Sequence, residues 1–191
     1  IIEQESDRED YKDLPKELQQ PETKMAKFNL GRLKNIGFQI SNSESDGEEN
    51  TYYILSDLDL LPSHDLISDY LKYPDNPIHL GYLGTRYNME GKNKTFFGGV
   101  ISTNEKDFTE ANGYPNDFWG WGGEDEALRD RFIKNKINIE KPKEQVIDLE
   151  DFTDFKEKNI FLKDNKMKDY KKNVKLLQDN TEWKNNGLNN I

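Results

Sequence analysis

Tyr114-Pro115-Asn116-Asp117-Phe118-Trp119-Gly120-Trp121-Gly122-Gly123-Glu124-Asp125-Glu126 is the stretch that organises this chain. Three glycines, two tryptophans and three consecutive acids fall within thirteen residues. Each glycine costs backbone order, so neither a helix nor a strand favours this composition. Large flat rings beside glycines predict a mobile loop that lays aromatic faces against a ligand. The acids open a helical pattern from Asp125 to Asn135, with Leu128, Phe132 and Ile133 on one side. Acids suit the positive end of a helix, so capping is the plainer reading of Glu124, Asp125 and Glu126. The sharper reading is a general base for a hydroxyl nucleophile.

Composition narrows the choice. A chain of 191 residues can form one domain with a sizeable core. Charged residues (34%) match hydrophobic ones (33%), but 12% aromatics argue against disorder throughout. A net charge of −10 disfavours nucleic acid or an anionic membrane surface as the main partner. Cysteine is absent, which excludes disulfides and thiolate zinc sites. His64 and His79 are the only histidines, so a metal site would be built mainly from oxygen, which suits Mg, Mn or Ca. No run of about 18 apolar residues offers a membrane span. The chain starts at Ile1 rather than Met, and an upstream segment is expected.

Outward from the central stretch, Ile1-Ile2-Glu3-Gln4 reads as the tail of a buried strand and residues 27–38 as a helix ending at Gly37. Residues 41–50 read as an acidic loop. Residues 51–56 form a strand that runs into Asp57-Leu58-Asp59. Carboxylates at i and i+2 at a strand's end face the same way, and ligands of open α/β sheets bind at that end. Two such carboxylates repel unless a cation sits near them. A hard cation there could carry a diphosphate leaving group; the plainer reading is a solvated turn. Residues 64–71 form a short helix, and strands are expected at 78–83, 96–101, 137–139 and 146–147. The paired Gly98-Gly99 permits close approach of a ligand. Residues 104–112 form a helix closed by Gly113, and residues 154–184 are weakly helical. Asn93-Lys94-Thr95 is a glycosylation acceptor triplet if the chain is secreted. Asp148, Glu150 and Asp151 follow a short strand and could complete a metal shell; Arg86 could neutralise a phosphate.

Four blocks, in order, resemble the β-1,4-galactosyltransferase family: residues 28–38, residues 53–62, residues 96–100, and residues 112–125 with the Trp–Gly string. Asn186-Gly187-Leu188-Asn189 resembles the family's closing signature. The resemblance implies a GT-A fold, a single α/β domain over residues 1–191 with a mixed, mainly parallel central sheet flanked by helices. The family's first, nucleotide-binding strand would lie upstream of Ile1. It further implies an inverting, metal-dependent transfer of a hexose from a UDP-sugar to an acceptor hydroxyl of a glycan or glycoprotein. Carried over by position, Asp125 would be the base and Glu124 would orient hydroxyls. Phe28, Asp57, Arg86, Gly98, Gly99 and Trp121 would bind the donor. Phe96, Trp121, Gly123 and Glu126 would meet the acceptor. Asp59 would ligate Mn2+ (or Mg2+), with Asp148 and Asp151 standing at the spacing where the family has histidine. Leu30 stands where a uridine-contacting arginine is usual, and Phe96 does not settle galactose against N-acetylhexosamine. The implied compartment is the Golgi lumen for a eukaryotic member; for a cytoplasmic or viral one, the lack of cysteine fits better. The competing reading is a non-catalytic sugar- or nucleotide-binding module of the same fold; an acidic Ca-binding protein would leave the Trp–Gly loop unexplained.

Overall fold

The computed structural model describes residues 16, 19–20, 25–45, 50–84, 87–88, 96–150, 152, 155–165, 167 and 171–191. In chain order these form β1 (Gln19–Gln20), β2 (Met25–Ala26), α1 (Leu30–Glu44), β3 (Tyr52–Ser56), β4 (Leu60–Pro62), α2 (Ile67–Tyr70), β5 (Leu83–Gly84) and β6 (Tyr87–Asn88). There follow β7 (Val100–Asn104), α3 (Glu105–Glu110), α4 (Glu124–Lys134), β8 (Val146–Asp148), α5 (Phe155–Asp164) and α6 (Lys172–Glu182). The expected strand at residues 1–4 lies outside the described residues.

Helix α1 starts where its cap dictates. The Asn29 side chain accepts from the Arg32 N–H at 3.0 Å, satisfying one of the orphan donors of the first turn. The helix does not stop at Gly37 as expected but continues to Glu44. An interior glycine costs up to about 1 kcal/mol. The next residue, Phe38, is buried with its ring 4.5 Å from Tyr53 and 4.7 Å from Phe108, and burying such a side chain contributes about 2–3 kcal/mol. Packing therefore overrides the local stop signal.

Strands β3 and β7 pair antiparallel, Tyr52 opposite Asn104 and Ser56 opposite Val100. Every residue of β7 is buried, so both its faces are covered. A second sheet has the order β4-β8-β5-β6, with β5–β8 parallel and the other pairs antiparallel. The pairing is mixed, as expected, but not mainly parallel: among the described strands only β5–β8 runs parallel and the other pairs are antiparallel. Ile78 bridges to both Ser102 of β7 and Glu140. The strand expected at 78–83 is broken: a 3-10 turn at Leu80–Tyr82 separates Ile78 from the short β5. The cause is crowding, since a Cβ on Gly81 would lie 2.8 Å from the Val100 nitrogen and 2.9 Å from the Gly98 oxygen. The 96–101 run becomes strand only from Val100, because Gly99 takes φ +85°. Residues 137–139 are not a strand; the chain there only approaches the sheet through the Glu140 bridge. Helices α3 and α4 occur where expected, within a residue or two at each end.

Two apolar clusters hold these layers. Phe38, Tyr53, Phe97, Ile101, Phe108, Tyr114, Leu128 and Phe132 pack between α1, α4 and the β3–β7 sheet. Leu60, Leu66, Ile78, Leu80, Val100 and Val146 pack on the other side of β7. The C-terminal tail is tied to the loop that follows α3. Asn116 donates to Gly187 O (2.7 Å) and Asn190 Oδ1 (2.8 Å), and Asn112 donates to Trp183 O (2.9 Å). Beneath them the buried Arg131 bonds Asp179, Gly113 O and Asn186 O. This lattice fixes the backbone on which the Trp–Gly stretch begins.

Candidate active site

The Trp–Gly stretch is not a free loop. Gly120, Gly122 and Gly123 take φ of +88°, +105° and +107°, a region other residues enter only with strain. Gly120 N donates to Phe28 O (2.8 Å) and Trp121 N to Met167 O (2.8 Å). Trp121 is 37% exposed, with the Lys158 ammonium 5.8 Å from its ring. Gly123 is the N-cap of α4, and a Cβ there would lie 2.5 Å from the Phe118 ring. The backbone thus turns through three glycines and delivers Glu124 and Asp125 as the first residues of α4.

Asp125 reaches back over the paired glycines. A Cβ on Gly98 would lie 2.7 Å from Asp125 Oδ2 and 3.1 Å from the Phe96 ring. Phe96, Gly98 and Asp125 therefore meet at one place. The glycine backbone is pinned from two sides: Gly99 O accepts from Asp57 N (2.9 Å), and Gly98 O from His79 Nε2 (2.8 Å). His79 is buried, and burial pushes its pKa down to about 4, so it stays neutral and donates. On the other flank a Cβ at Gly31 would lie 3.0 Å from Tyr114 Cβ, so α1 packs backbone-close to the start of the stretch.

Charge is concentrated here. Glu124 is buried, and Glu124 Oε2, Asp125 Oδ1 and Tyr114 Oη have no hydrogen-bond partner among the described residues. Burial raises the pKa of Glu124. Burial and then the neighbouring Glu124 raise that of Asp125 well above the usual carboxylate range, with Lys34 opposing. The Asp57 carboxylate accepts from the Lys34 ammonium at 3.0 Å, and Lys34 lies 5.5 Å from the Tyr114 ring centre. Lys34 escapes a sequence-only reading, yet its spacing gives it away: it lies three residues after Gly31 and four before Phe38, on the buried face of α1.

The other candidates are placed as follows. Glu126 is paired with Lys172 at 2.6 Å. Asp57 and Asp59 are not at successive strand positions: β3 stops at Ser56, and a turn at residues 58–59 leads into β4. Asp59 instead joins the second sheet: its carbonyl accepts from Leu149 N (2.8 Å), and Leu60 pairs with Asp148. Asp148 Oδ1 accepts from Glu150 N (2.9 Å), and Glu150 is ion-paired to Lys158. Arg86, Asp151 and the triplet at 93–95 lie outside the described residues. Among the described residues no three His, Cys, Asp or Glu side chains gather closely enough to hold a metal ion. Asp59 directly precedes β4 and Asp148 closes β8, so their backbones are neighbours across the β4–β8 pair.

A family model described as the N-terminal domain of galactosyltransferase matches residues 79–158. The chain is 37% identical to rat β-1,4-galactosyltransferase 4 over 128 residues, covering 65% of this chain and 35% of that one. It is 31% identical to human β-1,4-galactosyltransferase 1 over 115 residues, covering 60% and 28%. The chain thus spans about a third of the length of these curated relatives. Among solved structures, the catalytic domain of Drosophila β-1,4-galactosyltransferase 7 in complex with xylobiose matches with a TM-score of 0.57 at 24% identity, covering 86% of this chain and 65% of that one. A mutant of the same enzyme, complexed with manganese, UDP-Gal and xylobiose, matches equally. In sequence the chain is similar to the β-1,4-galactosyltransferases over part of its length, and in fold to the catalytic domain of one of them.

Proposed function

We propose that this chain carries the catalytic part of an inverting, metal-dependent glycosyltransferase that moves a hexose, galactose or N-acetylhexosamine, from a UDP-sugar to a hydroxyl of a glycan or glycoprotein acceptor. One observation carries the reading. Two carboxylate oxygens, Glu124 Oε2 and Asp125 Oδ1, are buried without partners among the described residues, and the other oxygen of Asp125 lies against the glycine floor, 2.7 Å from where a Cβ on Gly98 would stand. Such groups cost about 1–3 kcal/mol each when left unsatisfied, and a ligand's hydroxyls are the natural donors to them. The curated relatives are galactosyltransferases, and a structural neighbour is recorded with manganese, UDP-Gal and xylobiose.

The reaction is one displacement. Asp125 takes the proton of the acceptor hydroxyl as its oxygen bonds to the anomeric carbon. The bond from that carbon to the diphosphate breaks, and UDP leaves with the electron pair. A carboxylate lifted by burial suits a base near neutral pH, because proton transfer is most effective when the pKa approaches the working pH. Glu124 orients a sugar hydroxyl through its unpaired oxygen. Gly98 and Gly99 let the donor lie against backbone, Asp57 and Phe28 bound the donor side, and Trp121 closes over both sugars. Phe96, Gly123 and Glu126 form the acceptor side, with Glu126 acting through its pair with Lys172. Asp59 with Asp148 and Asp151 would hold Mn2+ or Mg2+, which supplies charge stabilisation to the departing diphosphate. Arg86 completes the diphosphate side. For a eukaryotic source the Golgi lumen is the inferred compartment; no helix among the described residues is long and apolar enough to cross a membrane.

Incubation with UDP-galactose or UDP-N-acetylhexosamines, Mn2+ and a panel of monosaccharide acceptors tests the proposal, with release of UDP and of a β-linked product expected. The engagement of Asp57 by Lys34 and of Glu126 by Lys172 favours one competitor, a module that binds sugar nucleotide without transfer. UDP binding by calorimetry with no turnover on any donor would establish that competitor.

A further inference from the structure

The buried lysine of α1 is a structural oddity with a consequence for the site. Lys34 keeps only 8% of its side chain exposed. An ammonium is rarely buried unless it is paired, because desolvation costs several kcal/mol. Here the ammonium meets one carboxylate directly, Asp57 at 3.0 Å, and a tyrosine face at 5.5 Å. The head of α4 packs on this same face of α1, since a Cβ on Gly31, one turn before Lys34, would lie 3.5 Å from Glu124 Cβ; Glu124 and Asp125 each keep a buried oxygen that no described donor satisfies. Three elements therefore converge: α1 brings a cation, the turn after β3 brings Asp57, and the head of α4 brings two acids. Without Lys34, the positive charge left near these acids would be Lys172, which is bonded to Glu126.

We propose that Lys34 is a positioning residue that joins the donor-side Asp57 to the carboxylate pair Glu124–Asp125 by supplying the positive charge between them. The inference rests on the reading of Asp125 as base. Its effect is directional. Lys34 opposes the upward pull that burial, Glu124, Asp57 and Glu126 exert on Asp125. The other charged groups around Asp125 are accounted for. Lys172 of α6 is bonded to Glu126, Arg129 one turn along α4 is bonded to Asp130, Tyr114 stays protonated through burial, and the neutral His79 bonds Gly98 O behind the glycine floor.

The test reads the carboxyl group itself and does not depend on turnover. Protein labelled with 13C at aspartate side chains is titrated by NMR without metal, and Asp125→Asn identifies the Asp125 resonance. In Lys34→Met the Asp125 midpoint is expected to rise by at least one pH unit, and Lys34→Arg is expected to restore it. Asp57→Asn, which leaves the ammonium in place, is expected to move the midpoint down. Opposite signs from two partners of one ion pair would not follow from a loss of packing. Should Lys34→Met fail to fold, as judged by thermal melting, the Asp57→Asn and Lys34→Arg titrations carry the test alone. An Asp125 midpoint unmoved by Asp57→Asn, or raised as much by Lys34→Arg as by Lys34→Met, overturns the proposal. The expected shifts in a protein that transfers no sugar would uphold the electrostatic role and refute only the assignment of Asp125 as base.

Discussion

Asp125→Asn should make the protein more stable and less active. The change keeps the shape of the side chain while removing the charge. Asp125 is pressed against Gly98, has one buried oxygen without a partner, and is raised by burial and by Glu124 well above the usual carboxylate range. The sign follows from proton linkage. A carboxyl whose folded pKa lies above its unfolded value of about 3.9 binds more protons in the fold, so stability falls as pH rises between the two values. Each unit of upward shift corresponds to about 1.4 kcal/mol, and a kcal/mol moves Tm by about 2–4 °C in a domain of this size. The amide should therefore raise Tm above neutral pH, and the gain should vanish as pH falls toward 4. Transfer should drop by about 10²–10⁴-fold, the range for losing a general base. UDP binding with Mn2+ should change little. Melting curves at pH 8 and pH 4, beside initial rates of UDP release, supply the comparison. An amide variant that melts lower than the parent at pH 8 would refute the claim that the fold buries an uncompensated carboxylate.

Other perturbations separate the parts of the site. Gly98→Ala places a Cβ 2.7 Å from Asp125 Oδ2; transfer should fall at least about tenfold, and an alanine variant with parental kcat/KM would disprove the close approach of base and floor. Arg131→Met strands the buried Asp179 and three carbonyls. A loss of about 3–5 kcal/mol is expected from urea unfolding, and a change within 1 kcal/mol would show that the tail lattice is not fixed by this cation. Trp121→Ala removes a half-exposed ring and should cost under about 1 kcal/mol of stability while abolishing transfer to sugar acceptors; retained transfer would dismiss the lid. His79 is pushed down to about 4 from 6.5. The unfolded chain then binds the extra proton in that window, and stability should be lost as pH falls from 6.5 to 4, by up to about 3 kcal/mol. His79→Gln should flatten this acid limb in melts across pH 4–7.

The elements set by local chemistry were legible in sequence, and those set by crowding were not. The strand at 52–56 and helix α4 are announced by β-branched and aromatic runs and by acids after glycines. Gly37 carries a stop signal that the helix ignores, because Phe38 just beyond it is worth more buried in the core than the glycine costs. The broken strand at 78–83 depends on Gly81 touching the 98–100 backbone, a contact that no local pattern encodes. In the site, the resemblance assigned Gly98 to the donor and Asp125 to the base separately, and their contact came only with the fold. Lys34 escaped notice because a lysine on a helix is normally read as solvated, although its spacing from Gly31 and Phe38 places it on the buried face.

The same geometry explains how so acidic a site can persist in an acidic protein. A net charge of −10 already opposes gathering more carboxylates in one place. The fold uses one buried ammonium on Asp57, one lysine on Glu126, and the first turn of α4, whose backbone N–H groups favour negative charge. What these leave uncompensated is confined to the unpaired oxygens of Glu124 and Asp125. The Asp125 carboxylate lies against the floor formed by Gly98. The part of the charge that destabilises the empty protein is thus the part a sugar hydroxyl would satisfy, and binding energy there would be expressed as proton transfer rather than as affinity alone.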